Sequence, residues 1–153
     1  MSAWRLAILG AALWCGMAAP ASAQLISISN TANLGFGEAY KSSSAGTVVM
    51  TAAGARSATG GVTLGSAASA SAASFTVGGL PLLTYSISLP GSSTLNAGGS
   101  SMTVDTFTSS PGGTGQLSVL GSQTLRIGAT LRVGASQTSG SYSGTFSVTV
   151  VYN

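Results

Sequence analysis

The last stretch of the chain, residues 140–153, alternates strictly between two kinds of side chain. Its even positions from Tyr142 to Tyr152 are aromatic residues, glycine or valine, and its odd positions from Ser141 to Thr149 are serine or threonine. A period of two places the two sets on opposite faces of a β-strand. No charge or proline protects the edge of such a strand, so it must pair with neighbouring strands or it will recruit another chain.

The first residues predict a secretory signal peptide, residues 1–23. Arg5 supplies one early positive charge, an apolar run covers residues 6–19, and Ala21-Ser22-Ala23 has the small residues of a cleavage site. The apolar run is shorter than the roughly 20 residues that span a bilayer. We therefore expect export to the periplasm, the cell surface or the medium, no membrane insertion after cleavage, and one mature domain of residues 24–153.

The mature chain has few of the side chains that enzymes and metal sites use. Cys15, the single cysteine, lies in the signal peptide, histidine is absent, and the only acids are Glu38 and Asp105. A disulfide framework, a zinc site of the usual type and a histidine-dependent triad are therefore excluded. Two carboxylates are also few for calcium binding or acid–base catalysis. The composition predicts a protein that is not an enzyme and has no cofactor and no metal.

The balance of charge also excludes some partners. Four bases remain in the mature chain against two acids, which leaves a net charge of +2. This charge is too small and too scattered to indicate nucleic acid or an anionic membrane as a partner. Disordered chains are rich in charge and poor in β-formers, and this chain is the reverse, so we expect it to fold.

Other segments repeat the alternation of the last stretch, notably residues 24–36, with a break at Asn30, and residues 84–89 and 125–133. Shorter apolar runs lie between them, separated by turn signals, and no helical period occurs. We count about eight to nine strands. Residues 41–45, 52–60 and 91–101 are predicted to be turns. This spacing predicts an all-β fold, an antiparallel β-sandwich of immunoglobulin-like type.

Short motifs occur in order along almost the whole mature chain. They are LGFG at 34–37, GGVTL at 60–64, SFTV at 74–77, YSISLP at 85–90, LRIGATL at 125–131, GSYSGTF at 140–146 and VTVVYN at 148–153. In these motifs the chain resembles a bacterial secreted family catalogued as a domain of unknown function, number 4402. More distantly, LGFG and the C-terminal ending resemble spore coat protein U domains and the pilins of archaic chaperone–usher systems.

The distant resemblance implies a pilin-type sandwich that assembles by strand complementation. A periplasmic chaperone would first fill a groove in each subunit, and the N-terminal strand of the next subunit would then replace it. The implied partners are further copies of the chain and a periplasmic chaperone and usher. The donated strand would carry Ile26, Ile28 and Ala32. The C-terminal edge of the groove would be formed by Phe146, Val148, Val150 and Tyr152.

Two functions are therefore predicted. The first is a secreted structural protein, a pilus- or fimbria-like surface-fibre subunit assembled by strand complementation. The alternative applies if residues 26–36 complete the sheet of their own chain. In that case the domain is self-sufficient and serves as a monomeric extracellular adhesion or binding module.

Overall fold

The computed structural model describes residues 25–153, and this part of the chain consists of β-strands joined by turns and loops. The predicted signal peptide lies outside the described residues and stays a prediction. Within residues 25–153 no helix is long and apolar enough to cross a membrane. The strands are β1 (Ser27–Ala32), β2 (Gly35–Phe36), β3 (Ala39–Met50), β4 (Arg56–Leu64), β5 (Ala70–Ser71), β6 (Ala73–Gly78), β7 (Thr84–Ser88), β8 (Ser92–Ala97), β9 (Ser100–Ser110), β10 (Thr114–Gln116), β11 (Ser122–Val133) and β12 (Thr149–Tyr152).

The long strand β11 is the centre of the larger sheet. Along one side, its first half pairs with β6 and its second half with β3, while β9 pairs along the other side. Strands β1, β4 and β8 extend the sheet beyond β6, β3 and β9. The alternating side chains of β11 are buried as their spacing predicts, namely Leu125, Ile127, Ala129, Leu131 and Val133. Arg126 and Arg132, on the other face, are exposed.

A smaller sheet, ordered β10–β7–β12, packs against the larger one and makes the fold a β-sandwich. Every strand pairing in both sheets is antiparallel. The described residues form two apolar cores. The first lies beside β3 and the second half of β11 and includes Val48, Met50 and Leu131. The second core lies between the sheets and is formed by Ala73, Val77, Tyr85, Leu117, Leu125, Ile127 and Val150.

Two long runs of chain pass from one sheet to the other. Strand β7 belongs to the smaller sheet and β8 to the larger one, and only Leu89, Pro90 and Gly91 separate them. Likewise β9 pairs in the larger sheet and β10 in the smaller one, with a break that begins at Pro111. Proline and glycine interrupt regular pairing, so these breaks let the chain change sheets.

Three segments predicted to be turns belong to strands. Residues 41–45 lie within β3, β4 begins at Arg56 instead of Gly61, and β8 occupies part of the segment 91–101. In β3 the register moves from Lys41 opposite Val62 to Gly46 opposite Gly60, so the serine-rich residues between them form a bulge. Hairpin pairing thus overrides their weak local preference. Strands β2, β5 and β8 bring the total within residues 25–153 to twelve.

The alternating C-terminal stretch is regular strand only at Thr149–Tyr152, and the longer strand predicted for residues 142–152 is corrected accordingly. Thr149 pairs with Ser88, and an isolated bridge joins Ser143 to Asn96. Between these points the partner run is two residues longer than the C-terminal stretch and contains Pro90 and Gly91. The two runs are therefore out of register over residues 144–148, where no regular pairing forms.

Candidate assembly edge

Strand β1, which holds most of the predicted donor segment, pairs with β6 of its own chain. The register runs from Ser27 opposite Gly78 to Asn30 opposite Phe75, then shifts by a bulge at the break predicted near Asn30. Ile26 and Ile28 pack against the second core. Ala32 lies beyond the bulge, opposite Ser74. In this structure β1 therefore completes the sheet of its own chain, and its donation to another copy stays a prediction.

The four predicted groove-edge residues all belong to the second core or pack against it. The Phe146 ring lies 5.1 Å from the Phe107 ring and 6.5 Å, edge to face, from the Phe75 ring, measured between centroids. Val150 is buried, and Val148 packs nearby. The Tyr152 hydroxyl accepts a hydrogen bond of 2.7 Å from the backbone N–H of Leu80. The alternation therefore correctly predicts which side chains point inward.

The backbone of this C-terminal stretch has one open side. Thr149 and Val151 pair with Ser88 and Ser86 of β7, and the N–H of Asn153 donates to Thr84 O at 3.2 Å. Backbone groups of successive strand residues point to opposite sides. Within β12, those of Val150 and Tyr152 therefore point away from β7. We call this side of β12, together with the irregular residues 144–148 that precede it, the free edge.

The free edge has no strand partner in the described part of the chain. β12 is the outer strand of its sheet, and residues 144–148 form no backbone–backbone hydrogen bond with any of residues 25–153. From the described residues, their backbone receives one hydrogen bond, which the Ser93 hydroxyl donates to Thr145 O. The sheet edge is therefore incomplete: its apolar side chains pack against a core, but one side of its backbone has no neighbouring strand.

The start of β1 and the free edge both pack against the second core. Ile26 and Ile28 pack against the same cluster as Phe146 and Val148. The Tyr152 hydroxyl also lies 3.4 Å from Leu25 O, just before β1 begins. The fold thus brings the two end segments together. Sequence reasoning missed that the C-terminal stretch is only partly paired. The available signal was Pro90-Gly91 in the run of chain opposite it.

The two acids occupy separate places, each with its own partners. Glu38 accepts hydrogen bonds from the Ser66 N–H and the Tyr40 hydroxyl, and these lower the pKa of its carboxyl. Asp105 forms a salt bridge with Arg132 at 2.9 Å, and hydrogen bonding to that guanidinium lowers the pKa of Asp105. Within residues 25–153 no three metal-ligating side chains cluster.

Comparison with known proteins gives one finding. The profile of a protein family described as "Domain of unknown function (DUF4402)" matches residues 26–152, nearly the whole predicted mature chain. No curated protein and no solved structure matches the chain.

Proposed function

This chain belongs to the family described as a domain of unknown function (DUF4402), and we propose that it is a secreted structural protein without enzyme activity. In this proposal it assembles into a pilus-like surface fibre by β-strand complementation. The observation that carries the proposal is the free edge of residues 144–152, the side that faces away from β7 and has no strand partner among the described residues.

The free edge has the two properties that strand addition needs. Its backbone N–H and C=O groups are open to a new strand, and each added hydrogen bond contributes about 1 kcal/mol. Its side chains Phe146 and Val148 face an apolar core, which fixes the register of an added strand through its alternate side chains. The resemblance of both chain ends to pilin motifs is consistent with this role.

The donor in this proposal is β1 of a neighbouring copy. β1 is an outer strand of the larger sheet, and after the predicted cleavage only Gln24 and two further residues precede it. Its exchange between copies is a domain swap, in which Ile26 and Ile28 fill the same apolar side of the second core from a different chain. A β1 that pairs along the free edge of another copy gives up its pairing with β6 of its own chain and gains hydrogen bonds at the free edge.

The second candidate is the self-complemented adhesion or binding module. The pairing of β1 with β6 favours it, because four consecutive residues from Ser27 to Asn30 are in register within one chain. An open depression of about 310 Å³, lined by polar residues that include Ser101, Gln137 and Thr138, offers a surface for a polar ligand. Binding to a glycan array by a protein that stays monomeric would support this function.

The first prediction tests the free edge by a matched pair of substitutions. Val148→Lys places a charge among the side chains of the second core, whereas Ser147→Lys places the same charge on the exposed face of the same segment. We expect Val148→Lys to abolish multimers that resist detergent until boiled, and Ser147→Lys to retain them.

Because Val148→Lys is also expected to destabilise the second core, a second measurement accompanies it. A synthetic peptide of residues 24–36, added in excess to the unmodified protein during assembly, competes for the free edge. We expect it to shorten or abolish the multimers, whereas a peptide of the same composition in scrambled order leaves them unchanged. Unaltered assembly with both Val148→Lys and the peptide would contradict the proposal.

A further inference from the structure

Strand β9 has a bulge where it pairs with the centre of the larger sheet. The register with β11 shifts between Gly128 and Thr130, and across this interval two residues of β9 oppose a single residue of β11. Thr106, the first of the two, has a φ of +52°, a conformation that β-branched residues rarely adopt. Bulges and strained backbone both occur preferentially at functional sites. The fold therefore keeps an unfavourable conformation directly beside Asp105.

Asp105 forms the one salt bridge found within residues 25–153, and its partner is Arg132. The carboxylate accepts hydrogen bonds of 3.0 Å from Arg132 Nε and from the Thr106 hydroxyl, and Arg132 Nη2 lies 2.9 Å from Asp105 Oδ1. The Arg132 side chain is 48% exposed, and a salt bridge at such exposure contributes little to stability. The contacts do hold the guanidinium in one orientation. Its Nη1 has no hydrogen-bond partner among the described residues and is available to a ligand.

Arg132 also lines an open depression of about 440 Å³, a volume within the roughly 300–1,000 Å³ of small-molecule sites. Thr47 of β3 lies directly opposite Arg132, and Thr59 of β4 lies opposite Thr47, with the two threonine hydroxyls 2.6 Å apart. Since β9 and β3 flank β11 on opposite sides, Arg132 lies between its salt-bridge partner and these hydroxyls. The remaining lining residues are mostly small, namely Ala45, Gly46, Gly60, Val133 and Gly134.

The lining groups indicate the chemistry of a ligand. The depression of about 310 Å³ that includes Ser101, Gln137 and Thr138 meets the larger one at Gly134. Of the described residues that line the two depressions, Arg132 is the only charged one. A guanidinium binds carboxylates through charge-assisted hydrogen bonds, and hydroxyl and carboxamide groups both donate and accept hydrogen bonds. A ligand that fits both depressions therefore combines a carboxylate with several hydroxyl groups.

We propose that Arg132 binds a carboxylate of an acidic polysaccharide, one that contains uronic acid units, in these two depressions. The salt bridge with Asp105 positions the guanidinium before the ligand arrives, which lowers the entropic cost of binding. The net charge of +2 of the mature chain also favours an anionic ligand. Arg132 is exposed on the outer face of the larger sheet, away from the second core. The site therefore does not depend on strand exchange, and in a fibre it would repeat in every subunit and bind a long polysaccharide at several points.

Calorimetric titration of the mature protein, residues 24–153, with oligogalacturonate tests this site. The same oligomer with methyl-esterified carboxylates is the uncharged control ligand. Arg132→Gln removes the guanidinium, whereas Arg126→Gln removes the same charge from the same face of β11, roughly 20 Å away along the strand. We expect Arg132→Gln to weaken binding by about tenfold or more, and Arg126→Gln by less than about twofold. Thr47→Val removes a hydroxyl without changing the charge and should weaken binding by about threefold.

The outcomes either support or overturn the inference. Weaker binding in both Arg132→Gln and Thr47→Val, with Arg126→Gln unchanged, would support it. Equal losses in the two arginine variants would indicate attraction to net charge alone and overturn it. Equal affinity for the methyl ester, or no binding by the unmodified protein, would overturn it as well. If Arg132→Gln does not fold, unaltered binding in Thr47→Val would have the same consequence.

Light scattering on the same samples separates this inference from the proposed function. A protein that binds oligogalacturonate but stays a monomer would retain the polysaccharide site and overturn assembly by strand exchange. Multimers that resist detergent but do not bind the oligomer would retain strand exchange and overturn the polysaccharide site.

Discussion

At the scale of single residues, Arg56 has the most hydrogen-bond acceptors of any charged side chain in the described part of the chain. Its guanidinium donates hydrogen bonds to four backbone carbonyl oxygens, those of Phe36, Glu38, Gly65 and Ser66, at 2.8 to 3.3 Å. It thereby joins the end of β2, the start of β3 and the loop after β4. The sequence marks Arg56 only as one of four scattered bases, because carbonyl oxygens from distant residues leave no signal in a local pattern.

Replacement of Arg56 by alanine is expected to lower the free energy of unfolding by about 2 kcal/mol, because hydrogen bonds from a charged donor are lost at several backbone oxygens together. Chemical denaturation measures this change. The matched control is Arg126→Ala, which removes a single hydrogen bond, to Ala52 O, and should cost less than about 1 kcal/mol. Equal losses for the two variants would contradict the structural role of Arg56.

The few titratable side chains predict an unusual pH dependence of stability. The pKa values of Glu38 and Asp105 are lowered from 4.5 and 3.8 by hydrogen bonds from Ser66 and Arg132, so their contributions are complete above those values and are lost as the pH falls through the lowered ones. The Glu38 hydrogen bond raises the pKa of Tyr40 above 10.0, and burial raises that of Tyr85. Their contributions to stability are therefore complete below pH 10.0 and are lost as the pH rises through the raised pKa values.

The midpoint of urea unfolding should therefore stay constant from about pH 5.5 to about pH 9 and fall outside that window. Asp105→Asn should make the acid limb shallower, since it removes one of the two carboxyls that must be protonated there. A midpoint that changes steeply near neutral pH would contradict this assignment, because the mature chain has no histidine to titrate.

At the scale of the elements, β11 shows why most of the larger sheet is predictable. Its five alternating apolar residues carry the pattern of a half-buried strand without interruption, and all five are buried. The period also correctly predicts the inward side chains of residues 146–152. The pattern does not reveal that the partner run is two residues longer, so it overestimates the length of the regular strand at the C-terminus. It also treats serine-rich residues such as 42–45 as turns, although a hairpin partner keeps them in a strand.

Gly128 lies where β11 changes partner from β6 to β3. A Cβ atom there would meet the backbone of Met50, Thr51 and Ala52 at less than 3 Å, so the strands would have to separate. We expect Gly128→Ala to lower the free energy of unfolding by about 3 kcal/mol. Gly99→Ala is the control, because no atom lies within 4 Å of the Cβ position, and it should change stability by about 0.5 kcal/mol or less. Thermal or urea unfolding of both variants would test this difference.

At the scale of the whole molecule, the fold class follows from alternating segments, turn signals and the absence of helical period. The function does not follow from them, because it depends on which strand edge remains open and where the first strand lies. The assembly proposal depends on the two chain ends, because β1 and the free edge pack against one core. That arrangement arises only from the three-dimensional path of the chain.

The most direct test of this account is the mass of the mature protein, residues 24–153, purified from a periplasm. Light scattering and gels of boiled and unboiled samples would be compared for the unmodified chain and for a deletion of residues 24–31. The account predicts a series of multimers that dissociate on boiling and that disappear with the deletion. A protein that stays a monomer at every concentration, and that unfolds when residues 24–31 are deleted, would show that β1 serves its own sheet and would contradict assembly by strand exchange.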